Sequence, residues 1–131
     1  MDDRVAALRG VPLFAGFDER SLQAVAVLAQ PVEARAGDVL ILEGEPGESF
    51  YVILGGTVRV EQGDRTVRSM TAGSFLGEIA LVEQGPRTAT ATCVTDCRLV
   101  ELRRHEFARL MDTMPEVARR VRVAIERRAR E

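Results

Sequence analysis

The fold is decided by residues 37–70, GDVLILEGEPGESFYVILGGTVRVEQGDRTVRSM. VLIL, FYVIL, TVRVE and TVRSM are short runs rich in β-branched and aromatic residues, separated by the glycine-bearing breaks EGEPGES, Gly55-Gly56 and Gln62-Gly63-Asp64. Breaks recurring about every eight to ten residues leave no length for a helix between strands, so the strands run antiparallel. Strands of this kind wrap into a small barrel or sandwich.

The same rhythm extends upstream to VEAR, residues 32–35, and resumes downstream in TATATCV and RLVEL, expected to join as a hairpin at Thr95-Asp96. Between them SFLGEIALVEQ is too irregular for a strand and reads as one or two inserted helical turns. Helical spacing governs both ends of the chain. Val5 and Leu8, then Leu22, Val25, Ala26, Leu28 and Ala29, mark N-terminal helices, with Asp18 as an N-cap, Glu19 in the first turn and Pro31 as a stop. HEFARLMDTM and a second helix opened by Pro115 close the chain. The fold class is mainly β with flanking α.

The 131 residues, 46% hydrophobic and 29% charged, suffice for one packed domain. No apolar run approaches the ~20 residues of a bilayer span, and Met-Asp-Asp-Arg lacks the order of a signal peptide. A soluble cytoplasmic protein is expected. The net charge of −2 gives no general attraction to nucleic acid, and all 18 basic residues are arginine. Cys93 and Cys97 read as buried reduced thiols, and the single histidine, His105, cannot supply a ligand cluster for a cupin-like metal site. Neither a metal nor a catalytic cofactor is expected.

One stretch carries chemistry: FLGEIALVEQGPRTATAT, residues 75–92. A helical turn starting at Gly77 or Glu78 aims unpaired backbone N–H groups at whatever lies before it. Across the Gly85-Pro86 turn, Arg87 can add a bidentate contact to an anion. A carboxylate beside a phosphate repels it unless it accepts a hydrogen bond from the same ligand, as Glu78 can from a ribose 2′-OH. A sugar hydroxyl beside a singly charged phosphate describes a cyclic nucleotide. On the residues alone a second reading stands level with this one: Glu78 and Arg87 form an ion pair that closes a turn.

GDVLILEGEPGESFYVILGGTVRV followed by FLGEIALVEQGPRTATAT closely resembles the cyclic nucleotide-binding domain family, and the likeness runs from PLFAGFDERSLQAVA to the final helices. The resemblance implies an eight-stranded antiparallel β-roll, jelly-roll-like, with N-terminal helices over 1–30. The roll spans 31–103, its phosphate-binding cassette lies at 75–92, and two C-terminal helices follow over 104–131; all form one domain, 1–131. It assigns Glu78 to the ribose 2′-OH, Arg87 to the cyclic phosphate, and the amides near Gly77 and Ala80 to phosphate oxygens. Leu76 and Ile79 complete the cassette wall, Leu76 standing where many members have an aromatic. Thr88 can bond the phosphate or a guanine amino group, so cyclic AMP and cyclic GMP both fit. By likeness to bacterial channel-type members, Arg127, or next Arg128, would stack on the purine from a C-terminal lid, while Val117, Val121 and Ile125 pack that helix on the roll.

The function so implied is a non-enzymatic cyclic nucleotide sensor whose output is lid-helix movement toward an effector protein. Three rivals remain. A transcription factor of the catabolite-activator type needs a dimer helix and a DNA-binding segment beyond Glu131. A β-roll without ligand would serve as a protein-interaction or dimerisation module, and the arginine-rich last helix is a surface where two copies can pair. An enzyme lacks an evident nucleophile–base pair or metal cluster.

Overall fold

The computed structural model describes residues 3–78 and 86–129. Among these, eight strands form two four-stranded antiparallel sheets: β1 (Gln30–Ala34), β2 (Val39–Ile41), β3 (Ser49–Gly55), β4 (Val58–Gln62), β5 (Arg65–Met70), β6 (Phe75–Leu76), β7 (Thr90–Cys93) and β8 (Cys97–Arg103). The sheet orders are β1-β8-β3-β6 and β2-β7-β4-β5. Helices α1 (Asp3–Arg9) and α2 (Glu19–Leu28), with a 3₁₀ turn at Pro12–Phe14 between them, precede the roll; α3 (Arg104–Thr113) and α4 (Pro115–Ala129) follow it.

The continuous apolar run FYVIL explains the layering, because a strand buried on both faces has no polar side to alternate with. Phe50 and Val52 on β3, with Val100 and Leu102 on β8, face the helices and pack with Leu8, Leu22, Phe107 and Val121. Ile53 and Leu99 point the other way, into a second core between the sheets with Val58, Met70, Leu76 and Ala91. Asp18 caps α2 as expected, its carboxylate accepting from the Ser21 amide at 2.8 Å. Pro31 is not what stops α2, which ends at Leu28; it lies in edge strand β1, where a missing N–H is tolerated. Pro115 opens α4, and Val117, Val121 and Ile125 pack that helix into the helix-side core.

Two expectations are corrected. Part of the stretch read as too irregular for a strand is β6, whose Leu76 and Phe75 pair with Tyr51 and Val52; two residues are too few to show a period. The inserted helical turns fall on residues 79–85, outside the described residues. The supposed TATATCV–RLVEL hairpin is a crossing between sheets, since β7 pairs with β2 and β4 while β8 pairs with β1 and β3. Thr57 holds that crossing by donating its amide to Thr95 Oγ1 at 3.0 Å and accepting from the Val94 amide at 2.9 Å. Gly56, with φ +97°, is required beside it, because a Cβ there would meet the Asp96 carbonyl at 2.5 Å.

Cys93 and Cys97 are buried free thiols that end one sheet and begin the other. Burial first, and the neighbouring Cys97 thiol second, push the Cys93 thiol up to about 12. Native protein at pH 8 should therefore leave Cys93 unmodified by a chromogenic disulfide reagent, while guanidinium-unfolded protein reacts fully; rapid native labelling of Cys93 would contradict this packing. Phe50 is completely buried against the rings of Phe75 and Phe107, at 5.5 and 5.0 Å between centroids. Phe50→Ala should cost about 3–5 kcal/mol, read as a lower urea midpoint at unchanged slope.

Candidate functional site

Strand β6 meets β3 at only two rungs and then leaves the sheet, Gly77 adopting φ +96°. The next rung of the ladder is thereby missing, and carbonyls that a longer strand would engage need another donor. Arg87 provides it. Its guanidinium donates from Nη1 to the Gly77 carbonyl at 2.9 Å and from Nη2 to the Ser49 carbonyl at 2.5 Å. A Cβ on residue 77 would lie 2.6 Å from the Ser49 carbonyl and 2.9 Å from Arg87 Nη1, so this arrangement exists only with glycine there.

The main chain of Arg87 is fixed as firmly as its side chain. Its amide donates to the Glu45 carbonyl at 2.8 Å, its carbonyl accepts from the Gly44 amide at 2.9 Å, and Pro86 bridges to Pro46. The result is a guanidinium only 7% exposed, with Glu78 also buried beside it. Burial pushes the Arg87 pKa below the ordinary arginine value, and the charges of Tyr51 and Glu78 act in the opposite sense. An arginine remains protonated across the working pH range. The site thus offers a desolvated, rigidly held cation.

Arg87, Gly77, Glu78 and Thr88 line one cavity together with Leu76. Opposite them, Val60, Met70 and Ala91 supply an apolar wall, and Gln62 and Arg68 bring polar groups from β4 and β5. Gln62 donates to the Thr88 carbonyl at 3.0 Å, tying the two sides of the cavity mouth together. Charged groups at one end and apolar surface at the other suit a ligand with an anionic head and a flat apolar body.

The structure thus brings together five of the sequence-derived residues: Leu76, Gly77, Glu78, Arg87 and Thr88. Ile79 and Ala80 lie outside the described residues, as does the side chain of Arg128. Arg127 lines a neighbouring groove with Pro12, Leu13, Phe75 and Val123, and Arg68 lies on the border of both. In this arrangement α4 is latched to the N-terminal turn: Arg120 donates to the Leu13 carbonyl at 2.8 Å and stands over the Phe17 ring at 5.2 Å. Sequence reading overlooked Gln62 and Ser49. The alternation Val58, Val60, Gln62 along β4 could have placed Gln62 on the inner face, whereas a backbone acceptor such as Ser49 leaves no signal in side-chain type.

Among the described residues no group of three or more His, Cys, Asp or Glu side chains could hold a metal ion, and no helix is long and apolar enough to cross a membrane. Residues 31–114 match the family model of the cyclic nucleotide-binding domain. The chain is 35% identical over 119 residues to a cyclic nucleotide-gated potassium channel of Rhizobium etli, covering 90% of this chain and 33% of the channel. It is 28% identical over 133 residues to a CRP-like cAMP-activated global transcriptional regulator of Mycobacterium tuberculosis, covering 98% of this chain and 58% of that protein. The co-crystal structure of the regulatory domain of Toxoplasma gondii PKA with cAMP superposes with a TM-score of 0.83 at 25% identity, over 95% of this chain and 49% of that one. This chain therefore spans 58% or less of the length of each of these three proteins.

Gly77→Ala should strain the backbone and displace Arg87 from its carbonyls. A stability loss of about 1–3 kcal/mol is expected in chemical denaturation, against a neutral result if the turn could relax.

Proposed function

The chain belongs to the cyclic nucleotide-binding domain family, and from that premise we propose that it is a non-enzymatic sensor of cyclic AMP. The observation that carries this reading is the buried Arg87, held by two carbonyls at the charged end of a cavity whose other wall is apolar. The cyclic phosphate would take the donors of Arg87 that the carbonyls leave over, together with backbone amides around Gly77 and Ala80. Glu78 would accept from the ribose 2′-OH, and the purine would lie along Val60 and Met70. Leu76 and Ile79 would form the cassette wall around the sugar.

Output is proposed to run through α4. For Arg127 to reach the base, α4 must leave its present seat, which means releasing Arg120 from the Leu13 carbonyl and the Phe17 ring. Ligand can drive that movement only by binding the rearranged state more tightly than this one. The relatives named above link a stretch like this one to channel gating, transcription and kinase regulation; here the effector is proposed to be a separate protein reading the position of α4.

Cyclic GMP is the second reading, favoured by Arg68 and Thr88 at the same cavity. Arginine pairs well with guanine O6 and N7, and a threonine hydroxyl can meet the guanine amino group. Calorimetric titration with both nucleotides tests the assignment. Arg87→Ala should weaken binding by about 2–5 kcal/mol, or roughly 30- to several-thousand-fold, and equal binding by that variant would refute the reading. Arg68→Ala and Thr88→Ala should weaken cyclic GMP more than cyclic AMP if the second reading holds. Absence of binding to either nucleotide by wild-type protein would instead favour a ligand-free interaction module.

A further inference from the structure

A polar cluster outside the cavity lining backs the Ser49 carbonyl on which Arg87 rests. Ser49, 6% exposed, is the first residue of β3, where ladder pairing to β8 ends at Arg103 and β6 contributes no rung. A strand end so placed is held by little main-chain bonding. Its hydroxyl nonetheless donates to Glu101 Oε2, reaching diagonally to the residue opposite Tyr51 on the central strand β8. Residues opposite or diagonal to one another across a strand pair share a face, so Ser49, Tyr51 and Glu101 form one group.

Tyr51 reports the same group from its own side. Burial first and the Glu101 charge second push the Tyr51 phenol up, while its hydrogen bond with Ser49 and the charges of Arg87 and Arg103 act in the opposite sense. Glu101 is anchored in turn on the other side of β8, where it stands opposite Gln30 of β1. A chain of contacts therefore leads from Arg87 through the Ser49 residue to the middle of the helix-backed sheet.

We propose that Ser49 and Glu101 are positioning residues for Arg87: their side-chain hydrogen bond fixes the Ser49 peptide, and thereby the orientation in which the guanidinium meets an anion. The bearing on affinity rests on the cyclic nucleotide reading above; the positioning itself does not. A guanidinium held in one orientation before ligand arrives loses less freedom on binding, so slackening its support should appear as weaker binding without loss of any ligand contact.

The test uses the full chain labelled with ¹⁵N-arginine, with the Arg87 signals assigned through Arg87→Lys. Wild-type protein should show separate, slowly rotating Nη protons for Arg87. Ser49→Ala and Glu101→Ala should average them, while Ser49→Thr, which keeps the hydroxyl, should preserve them; Glu101→Gln, which keeps an acceptor, serves as the milder variant if Glu101→Ala fails to fold. In parallel, the affinity for cyclic AMP should fall roughly 5- to 15-fold in the alanine variants, the scale of one lost hydrogen bond, with Ser49→Thr near wild type. A role confined to stability would lower the melting temperature and leave the Arg87 spectrum unchanged, and that result overturns the proposal. So does an altered spectrum with unchanged affinity. Should wild-type protein bind neither cyclic AMP nor cyclic GMP, the nucleotide reading fails, and the Arg87 spectra alone decide the positioning.

Discussion

Two carbonyls at the place where β6 stops, those of Ser49 and Gly77, hold the molecule's most constrained side chain. A guanidinium is well suited to this role because its donors lie in one plane and diverge at fixed angles, so one group can substitute for a missing rung of sheet. The substitution sets a buried cation at the edge of β3, and the surrounding chain is arranged to tolerate it. Gly77 leaves room, Glu78 and Tyr51 offset the desolvation, and the 44–46 segment grips the Arg87 backbone.

That same segment leads to the C-terminal helices. Residues 44–49 touch Arg87 through Gly44, Glu45 and Ser49, and α3 through Gly47 and Glu48, whose carbonyls accept from the Arg104 side chain and amide. The two cores are joined in a similar manner, since β3 and β8 give alternate side chains to the helix-side cluster and to the cluster between the sheets. A displacement at the site and a displacement of α3 are therefore disturbances of one short loop and of strands with no slack face.

What could be read from the sequence follows from what side-chain type encodes. Seven strands were legible in the alternation of glycine breaks and β-branched runs, and the cation–carboxylate pair at Arg87 and Glu78 was legible because only certain residues do that chemistry. The partner of β7 was not, because TATATCV and RLVEL lie so close that pairing them is the cheapest local guess, and only Thr57 and Gly56, distant in sequence, show that the chain changes sheets there. Strand β6 carries two residues and so no period. Ser49 escaped because its contribution to Arg87 is a backbone carbonyl, which every residue has. Arg127 was read toward the cavity from family likeness, while the arrangement described here sets it in the next groove, because Arg120 anchors the helix two turns earlier.

The choice of arginine for the buried cation has a consequence for signal fidelity. A histidine in its place would tie occupancy to acidity, and a buried lysine could be driven toward its neutral form; the guanidinium of Arg87 has no accessible neutral form despite its lowered pKa. Enclosure also keeps mobile ions at a distance, so a close anion feels this charge with little screening. Calibration of the site is accordingly indifferent to modest swings in proton and salt concentration, and what it registers is the abundance of the molecule that fits.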